Sequence, residues 1–146
     1  MKEFKRILGI DYGSRRIGLS MSDPLCIIAT PAGAIKNDEH AIREINGIVL
    51  QEGIGLIVIG MPLNLKGEKS HKAEEVEGFI RAMKEKIDVD VLTWDERFTS
   101  KMARHSLIAM GTKRKNRNAK SGTIDTMAAA IILQSFLDST KRSRSC

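Results

Sequence analysis

The chain has few cysteines, few aromatic residues and no long apolar run, and each shortage excludes a class of protein. Its two cysteines, Cys26 and Cys146, have no zinc-ligand spacing and form no disulfide framework, so a reducing compartment is the simpler interpretation. Aromatic residues make up only 4% of the chain, which predicts an aliphatic core. No segment approaches the roughly 18 apolar residues of a membrane span, and the N-terminus has no signal-peptide pattern. We therefore expect a cytoplasmic protein that does not bind membranes.

The length and composition predict one globular domain. A chain of 146 residues with 42% apolar content and three prolines is large enough to bury a single core. We expect that domain to occupy residues 1–140, with a polar C-terminal tail at 141–146. The sequence contains no internal repeat and no linker.

Periodicity predicts an α/β architecture. Short apolar runs bounded by turn residues indicate strands at 7–10, 17–21, 27–35, 54–59 and 89–94. The first three are expected to form an antiparallel meander, and the last two resemble interior strands. Apolar residues at helical spacing predict helices over about 41–53, 99–110 and 125–137, with Asn37 or Asp38 capping the first. Another helix is predicted directly after a loop at 60–70, with its apolar stripe at 76–87. This order indicates a sandwich of helices around a mixed sheet of about five strands.

Carboxylates occur where strands end and where the last helix begins. Asp11 ends the first apolar strand, and Gly13 and Gly18 flank the basic hairpin that follows it. Asp95 and Glu96 come after the strand at 89–94. Asp125 lies four, seven and eleven residues before the apolar residues Ala129, Ile132 and Phe136, so it shares their helix face.

A cation would resolve the cost of placing an acid on a buried helix face. Favourable interaction with the helix dipole is an equally good explanation of Asp125 taken alone. If Asp11, Asp125 and either Asp95 or Glu96 converge at one sheet edge, their hard oxygen ligands suit Mg²⁺ or Mn²⁺. Two such ions could stabilise the attacking and leaving oxygens of a phosphodiester during cleavage of a nucleic-acid backbone.

The excess positive charge lies in the C-terminal quarter of the chain. Residues 1–112 hold 16 basic and 16 acidic residues, whereas residues 113–146 hold eight basic and two acidic ones. Most of this charge is in the stretch 112–120, which has no apolar periodicity and reads as a loop. In isolation it would be a solvated loop, but beside an acidic site it favours binding to a phosphate backbone. Its candidate contacts are Lys113, Arg114, Lys115 and Arg117.

Four segments together resemble the YqgF family of bacterial proteins. They are GIDYGSRRIGLSMSDP at 9–24, IVIGMPLN at 57–64, WDERFTS at 94–100 and IDTMAAAIILQSFLD at 124–138. Members have an RNase H-like fold, are related to Holliday junction resolvases and are described as pre-16S rRNA nucleases. The resemblance implies a five-stranded mixed sheet flanked by helices on both faces and a divalent metal site. It also implies 5′-end maturation of pre-16S rRNA, within ribosome biogenesis, or processing of DNA junctions.

The resemblance also assigns site residues. The family's catalytic and metal-binding acids fall on Asp11, Glu96 and Asp125, with Glu96 chosen over Asp95. Candidate phosphate contacts outside the basic loop are Arg15, Arg16, Asn64 and Arg97. The family's frequent DPLG motif reads Asp23-Pro24-Leu25-Cys26 here, and we expect the small cysteine to be tolerated in place of glycine.

Three hypotheses follow for the function. The first is a metal-dependent endonuclease acting on pre-rRNA or branched DNA, with ribosomal precursor particles as possible partners. The second is a nucleic-acid-binding factor that does not cleave, since fold does not determine function. The third is a nucleotide phosphohydrolase, because actin-like ATPases also begin with an Asp-Gly strand and turn; those proteins need two such lobes. Either a monomer or a homodimer is compatible with the sequence.

Overall fold

The computed structural model describes residues 5–63, 66, 70–96 and 121–143, and within the last segment the side chains of residues 126–140. Five strands are present, and each is close to its predicted range: β1 (Arg6–Tyr12), β2 (Arg16–Ser22), β3 (Ala29–Lys36), β4 (Ile54–Met61) and β5 (Asp90–Asp95). Three helices are described: α1 (Ala41–Glu52), α2 (His71–Lys86) and α3 (Ser121–Ser143). The helix predicted at 99–110 lies outside the described residues.

The strands form one mixed sheet in the order β3-β2-β1-β4-β5. β1, β2 and β3 are the predicted antiparallel meander, while β4 lies parallel to both β1 and β5. The predicted five-stranded mixed sheet is therefore confirmed. The interior position predicted for β5 is wrong within the described residues, because β5 pairs there with β4 alone. Its residues show the consequence, since Val91 is buried while Leu92 is 45% exposed.

Helices cover both faces of the sheet, as predicted. The larger core cluster joins alternate residues of the central strands, such as Leu8, Ile10 and Ile57, to buried residues of α1 and α2. The second cluster joins Ile7 and Val58, on the opposite face, to α3. Because side chains alternate along a strand, the face of each strand residue follows from these two clusters. No helix in the described part of the chain is long and apolar enough to span a membrane.

The helix ends differ in how they are capped. Ser70 caps α2, with its hydroxyl accepting from the Ala73 N–H, and α1 ends at Gly53 in the left-handed conformation. The predicted capping of α1 by Asn37 or Asp38 is wrong, because the N-cap is His40 and its side chain makes no capping bond. The Asp38 carboxylate instead accepts from the His40 N–H at 2.9 Å, in a turn just before the helix.

Candidate functional site

Asp11 lies near the C-terminal end of β1, on the sheet face that α3 covers. Leu8 and Ile10 belong to the core on the α1 and α2 side, so Gly9 and Asp11 alternate onto the α3 side. The packing at Gly9 agrees, because a Cβ there would lie 2.8 Å from Leu133 Cβ and 3.1 Å from the Ala129 carbonyl oxygen. The missing side chain of Gly9 therefore lets α3 approach the strand that carries Asp11.

Glu96 lies on the same face as Asp11. A Cβ at Gly60 would come within 2.9 Å of Glu96 Oε2 and 2.7 Å of Ile132 Cδ1, so the Glu96 side chain occupies space that a larger residue would need. Gly60 follows Ile59, which pairs with Ile10, and this register sets Gly60 beside Asp11 on the neighbouring strand. The Glu96 carboxylate therefore lies above the C-terminal end of β4, one strand away from Asp11.

Asp95 belongs to the other face. It pairs with Met61, a residue of the core on the α1 and α2 side, while Trp94 packs with the α3 cluster. Neighbouring residues on paired strands share a face, so Asp95 is directed away from the α3 side. Glu96 directly follows β5 and is two residues beyond Trp94, so the same alternation returns it to the α3 side. This geometry favours Glu96 over Asp95 as the partner of Asp11.

Polar side chains tie α3 to the sheet along its length. Ser20 Oγ donates to the Ala129 carbonyl at 2.8 Å, and Trp94 Nε1 donates to Ser135 Oγ at 3.0 Å. Near the helix start, Thr126 Oγ1 donates to the Leu19 carbonyl at 2.7 Å. Sequence reasoning missed Thr126, although its place directly after Asp125 on an apolar helix was a signal that its hydroxyl needed a partner.

These links determine the direction of α3 relative to the strands. The Ala29 N–H donates to Gln134 Oε1, and the Gly33 N–H donates to Thr126 Oγ1. From Ala29 to Gly33 the strand advances by four residues, about 13 Å, while their helix partners go back by eight residues, from Gln134 to Thr126, about 12 Å. The lengths match and the numbering runs in opposite senses, so α3 lies alongside β3 in the opposite direction. Because β3 and β1 have the same direction, α3 is also antiparallel to β1.

The position of residue 125 follows from that direction. Ala129 lies at Gly9, and Asp125 is one helical turn before Ala129, about 6 Å along α3. Asp11 is two residues beyond Gly9, about 7 Å along β1 in the corresponding direction. The backbone of α3 therefore carries residue 125 toward the end of the sheet where Asp11 and Glu96 lie.

Basic residues lie at the same end of the sheet. Arg15 is exposed in the turn between β1 and β2, and Arg16 begins β2. Asn37 holds this turn by donating from Nδ2 to the Gly13 carbonyl at 2.7 Å and from its backbone N–H to the Arg15 carbonyl. Arg16 pairs in register with Lys36, an exposed residue that sequence reasoning missed because it lay just past the predicted strand.

The loop after β2 is organised by Asp23. Backbone hydrogen bonds, first from the Ile28 N–H and then from the Ile27 N–H, hold the pKa of the Asp23 carboxyl below its ordinary value. Cys26 in this loop has φ 59°, in the left-handed region where a Cβ is strained. We expected cysteine to be tolerated here because its side chain is small. That reasoning is wrong, because the left-handed backbone conformation favours glycine over any residue with a Cβ.

The donor set at this end of the sheet is acidic and fits a hard divalent cation. Carboxylate oxygens are the ligands that Mg²⁺ and Mn²⁺ prefer, and Asp11 on β1 and Glu96 just after β5 supply them on either side of the end of β4. Among the described side chains no group of three or more His, Cys, Asp or Glu forms a metal cluster. Asp125 is the third predicted ligand, and its side chain is not among those that the structure describes. The other predicted contacts outside the described residues are Asn64, Arg97, Lys113, Arg114, Lys115 and Arg117.

Comparisons with known proteins agree with this arrangement. The model of the RuvX family, described as Holliday junction resolvase, matches residues 5–139. A relative from Sulfurihydrogenibium is 43% identical over 135 residues, covering 91% of this chain and 90% of its own. A relative from Chlorobaculum tepidum is 40% identical over 136 residues, covering 92% and 94%. Both are provisionally named pre-16S rRNA nuclease.

Solved structures share the fold at low sequence identity. Thermus thermophilus RuvC in complex with a Holliday junction substrate superposes with a TM-score of 0.64 at 12% identity, covering 96% of this chain and 97% of the other. The fowlpox virus resolvase, in complex with substrate Holliday junction DNA, gives 0.57 at 14% identity, covering 92% and 98%. These neighbours bear out the predicted RNase H-like fold.

Proposed function

The chain belongs to the RuvX family of Holliday junction resolvases, and we propose that it is a metal-dependent endonuclease that matures the 5′ end of pre-16S rRNA. The observation that carries the proposal is the convergence of acids on one face of the sheet. Asp11 lies there on β1 and Glu96 just after β5, with the end of β4 between them, and the direction of α3 carries the backbone of residue 125 toward them. The names of the relatives support RNA as the substrate, and the family description makes branched DNA the second candidate.

The carboxylates of Asp11, Glu96 and Asp125 would hold Mg²⁺ or Mn²⁺. When bound, such a cation would supply positive charge to the transition state and favour deprotonation of the attacking water. The chain's own contribution is to orient three anionic side chains from two strands and a helix. Three carboxylates that bind one cation would lose their mutual repulsion on binding it.

Basic residues around the acids would bind the flanking phosphates. Arg15 and Arg16 lie at the hairpin beside the acidic end of the sheet, and their guanidinium groups can bind phosphate in a bidentate manner. Asn64, Arg97 and the basic loop are proposed to contact the same backbone; the residues of that loop are Lys113, Arg114, Lys115 and Arg117. Such contacts position the substrate without reading its sequence, so specificity would come from the shape of the RNA or junction.

The decisive experiment compares cleavage of two substrates by matched variants. End-labelled pre-16S rRNA and a synthetic four-way junction are incubated with Mg²⁺, Mn²⁺ or EDTA and with wild type, Asp11→Asn, Asp125→Asn or Asp90→Asn. Asp90 is an exposed acid at the start of β5, at the opposite end of the sheet, so its variant controls for loss of a charge. We expect metal-dependent cutting that Asp90→Asn retains and the two site variants lose.

The pattern of results separates the candidate functions. Preferential cutting of the rRNA supports 5′-end maturation, whereas preferential cutting of the junction replaces it with resolution of branched DNA. Intact substrates under every condition, with binding retained by wild type, would refute the nuclease and leave a binding factor. Cosedimentation with precursor ribosomal particles tests the proposed partner. Sedimentation of the free protein distinguishes a monomer from the homodimer that paired cuts in a junction require.

A further inference from the structure

The Thr126 hydroxyl joins the first turns of α3 to two strands at once. Thr126 is buried, its Oγ1 donates to the Leu19 carbonyl of β2 at 2.7 Å, and the same oxygen accepts from the Gly33 N–H of β3 at 3.0 Å. These partners are 107 and 93 residues away along the chain. A single side chain therefore fixes the start of the helix at the middle of the meander.

The sheet is shaped to receive this hydroxyl. The register between β2 and β3 shifts between Gly18, which pairs with Ala34, and Ser20, which pairs with Pro31. Gly33 lies in the resulting bulge with φ 91°, a conformation that a residue with a Cβ adopts only with strain. The bulge directs the Gly33 N–H to Thr126. Bulges recur beside functional sites because they re-aim groups in this way.

We propose that Thr126 is a positioning residue for the Asp125 carboxylate, an inference that rests on the proposed role of Asp125 in the acidic site. Thr126 directly follows Asp125, so the two hydrogen bonds of Thr126 fix the rotation and axial position of the turn that carries Asp125. Apolar packing around these two hydrogen bonds cannot by itself fix the rotation of the helix turn. Apolar contacts are non-directional. After Met127, which is buried but flexible, the helix packs through Ala128, Ala129 and Ala130, whose small side chains resist sliding weakly.

A small helix rotation would matter at the site. An aspartate carboxylate on any α-helix lies roughly 6 Å from the helix axis, outside a Cα radius of about 2.3 Å, so rotation by about 10° moves it by about 1 Å. A displacement of about 1 Å in a catalytic constellation can cost about 100-fold in rate. Binding of the nucleic acid, which depends on basic side chains elsewhere, would be little changed by the same rotation.

The test uses two replacements of Thr126 and a control on the same helix. Thr126→Val keeps the shape and removes the hydroxyl, while Thr126→Ser keeps the hydroxyl. Ser135→Ala removes the bond from Trp94 Nε1 to Ser135 Oγ, more than two turns away from Asp125. For each variant, the single-turnover cleavage rate, the affinity for substrate, Mn²⁺ binding, the unfolding midpoint and the amide exchange rate of Gly33 are measured.

We expect Thr126→Val to exchange the Gly33 amide faster and to cut about 10- to 100-fold more slowly at unchanged substrate affinity. Thr126→Ser should restore cutting to within about threefold of wild type. Ser135→Ala should lower the unfolding midpoint while cutting at the wild-type rate. If Thr126→Val does not fold, the smaller Thr126→Ala replaces it in the same comparison.

The outcomes separate this inference from the proposed function. Wild-type cutting by a folded Thr126→Val in which Gly33 exchanges faster overturns the positioning role and leaves the nuclease intact. Equal slowing by Ser135→Ala also overturns it, because the effect would then follow helix stability rather than Asp125. A wild type that neither cuts nor binds Mn²⁺ overturns the proposed function itself, and this inference with it.

Discussion

Adding one methyl group at Gly9 should destabilise the protein and move α3 away from the sheet. A Cβ at this position would lie 2.3 Å from Ser20 Oγ, 2.8 Å from Leu133 Cβ and 3.1 Å from the Ala129 carbonyl oxygen. None of these atoms is the free end of a flexible side chain. Ser20 Oγ is held by its bond to the Ala129 carbonyl, and the other two atoms move only with the helix.

The magnitude follows from the three contacts. Overpacking of a well-packed core costs about 1–3 kcal/mol. Loss of the buried bond between Ser20 and the Ala129 carbonyl adds about 1–3 kcal/mol if the carbonyl finds no other donor. The reduced entropy of the unfolded chain offsets about 0.4–1 kcal/mol. We therefore expect Gly9→Ala to lower the free energy of unfolding by about 2–4 kcal/mol, or the melting temperature by about 3 °C for each kcal/mol.

Urea denaturation followed by circular dichroism measures this change, and Gly47→Ala is the matched control. Gly47 lies in α1 with no atom within 4 Å of its would-be Cβ. The same methyl there should stabilise the protein by about 0.5–1 kcal/mol. The double variant with Ser20→Ala removes the closest clash, so its loss should be smaller than the sum of the two single losses. The inferred packing is incorrect if Gly9→Ala is as stable as wild type. It is also incorrect if the loss in free energy of unfolding of the double variant equals the sum of the losses of Gly9→Ala and Ser20→Ala.

Four further predictions follow from the described contacts. Gly60→Ala should slow cleavage about 10-fold or more, because the new Cβ displaces the carboxylate of Glu96. It should also lower the free energy of unfolding by about 1–3 kcal/mol, because the same Cβ overpacks the buried Ile132; single-turnover kinetics and urea denaturation measure the two effects. Cys26→Gly should stabilise the protein by about 1 kcal/mol by relieving a left-handed residue, as thermal unfolding would show. Asp23→Asn should be less stable than wild type at pH 7, and the difference should shrink as the pH falls below about 4, since the lowered pKa stabilises only the ionised form; unfolding curves from pH 3 to 7 test this. Replacing the four basic loop residues with Ala should lower the slope of log affinity against log salt concentration by up to about 3; the four are Lys113, Arg114, Lys115 and Arg117.

Each of these predictions has a contrasting outcome. Unchanged cleavage in Gly60→Ala would mean that the position of the Glu96 carboxylate is unimportant. A less stable Cys26→Gly would mean that the thiol contacts outweigh the backbone strain. A pH-independent difference for Asp23→Asn would exclude ionisation as the cause. The control for the loop is a quadruple alanine variant of exposed basic residues on α2, which should leave the salt slope unchanged; those residues are Lys72, Arg81, Lys84 and Lys86.

Local patterns in the sequence were sufficient for the elements of the fold. The period of two in the strands and the apolar stripes of the helices record which side chains are buried, and burial is a property that each segment carries in its own composition. The acid at the end of β1 could be identified in the same way, and the same pattern predicts Asp125 on the apolar stripe of the last helix. The family was recognisable because four such segments occur in one order.

The sequence left open whatever depends on contacts between distant segments. Alternation along a strand could not separate Asp95 from Glu96 until the pairing of β5 with β4 showed which face each residue occupies. The edge position of β5 and the left-handed backbone at Cys26 were misjudged for the same reason, since a residue's own type reports neither its neighbours nor its φ.

The composition and order of residues therefore determined the α/β class, the strands and helices and the candidate acids by themselves. Only the tertiary structure decided that Glu96 shares a face with Asp11, that Lys36 lies opposite Arg16 and that Thr126 holds the start of α3. The physical reason is that burial is largely a local property of side chains, whereas each hydrogen bond of Thr126 joins groups about a hundred residues apart, whose meeting depends on the register of the whole sheet.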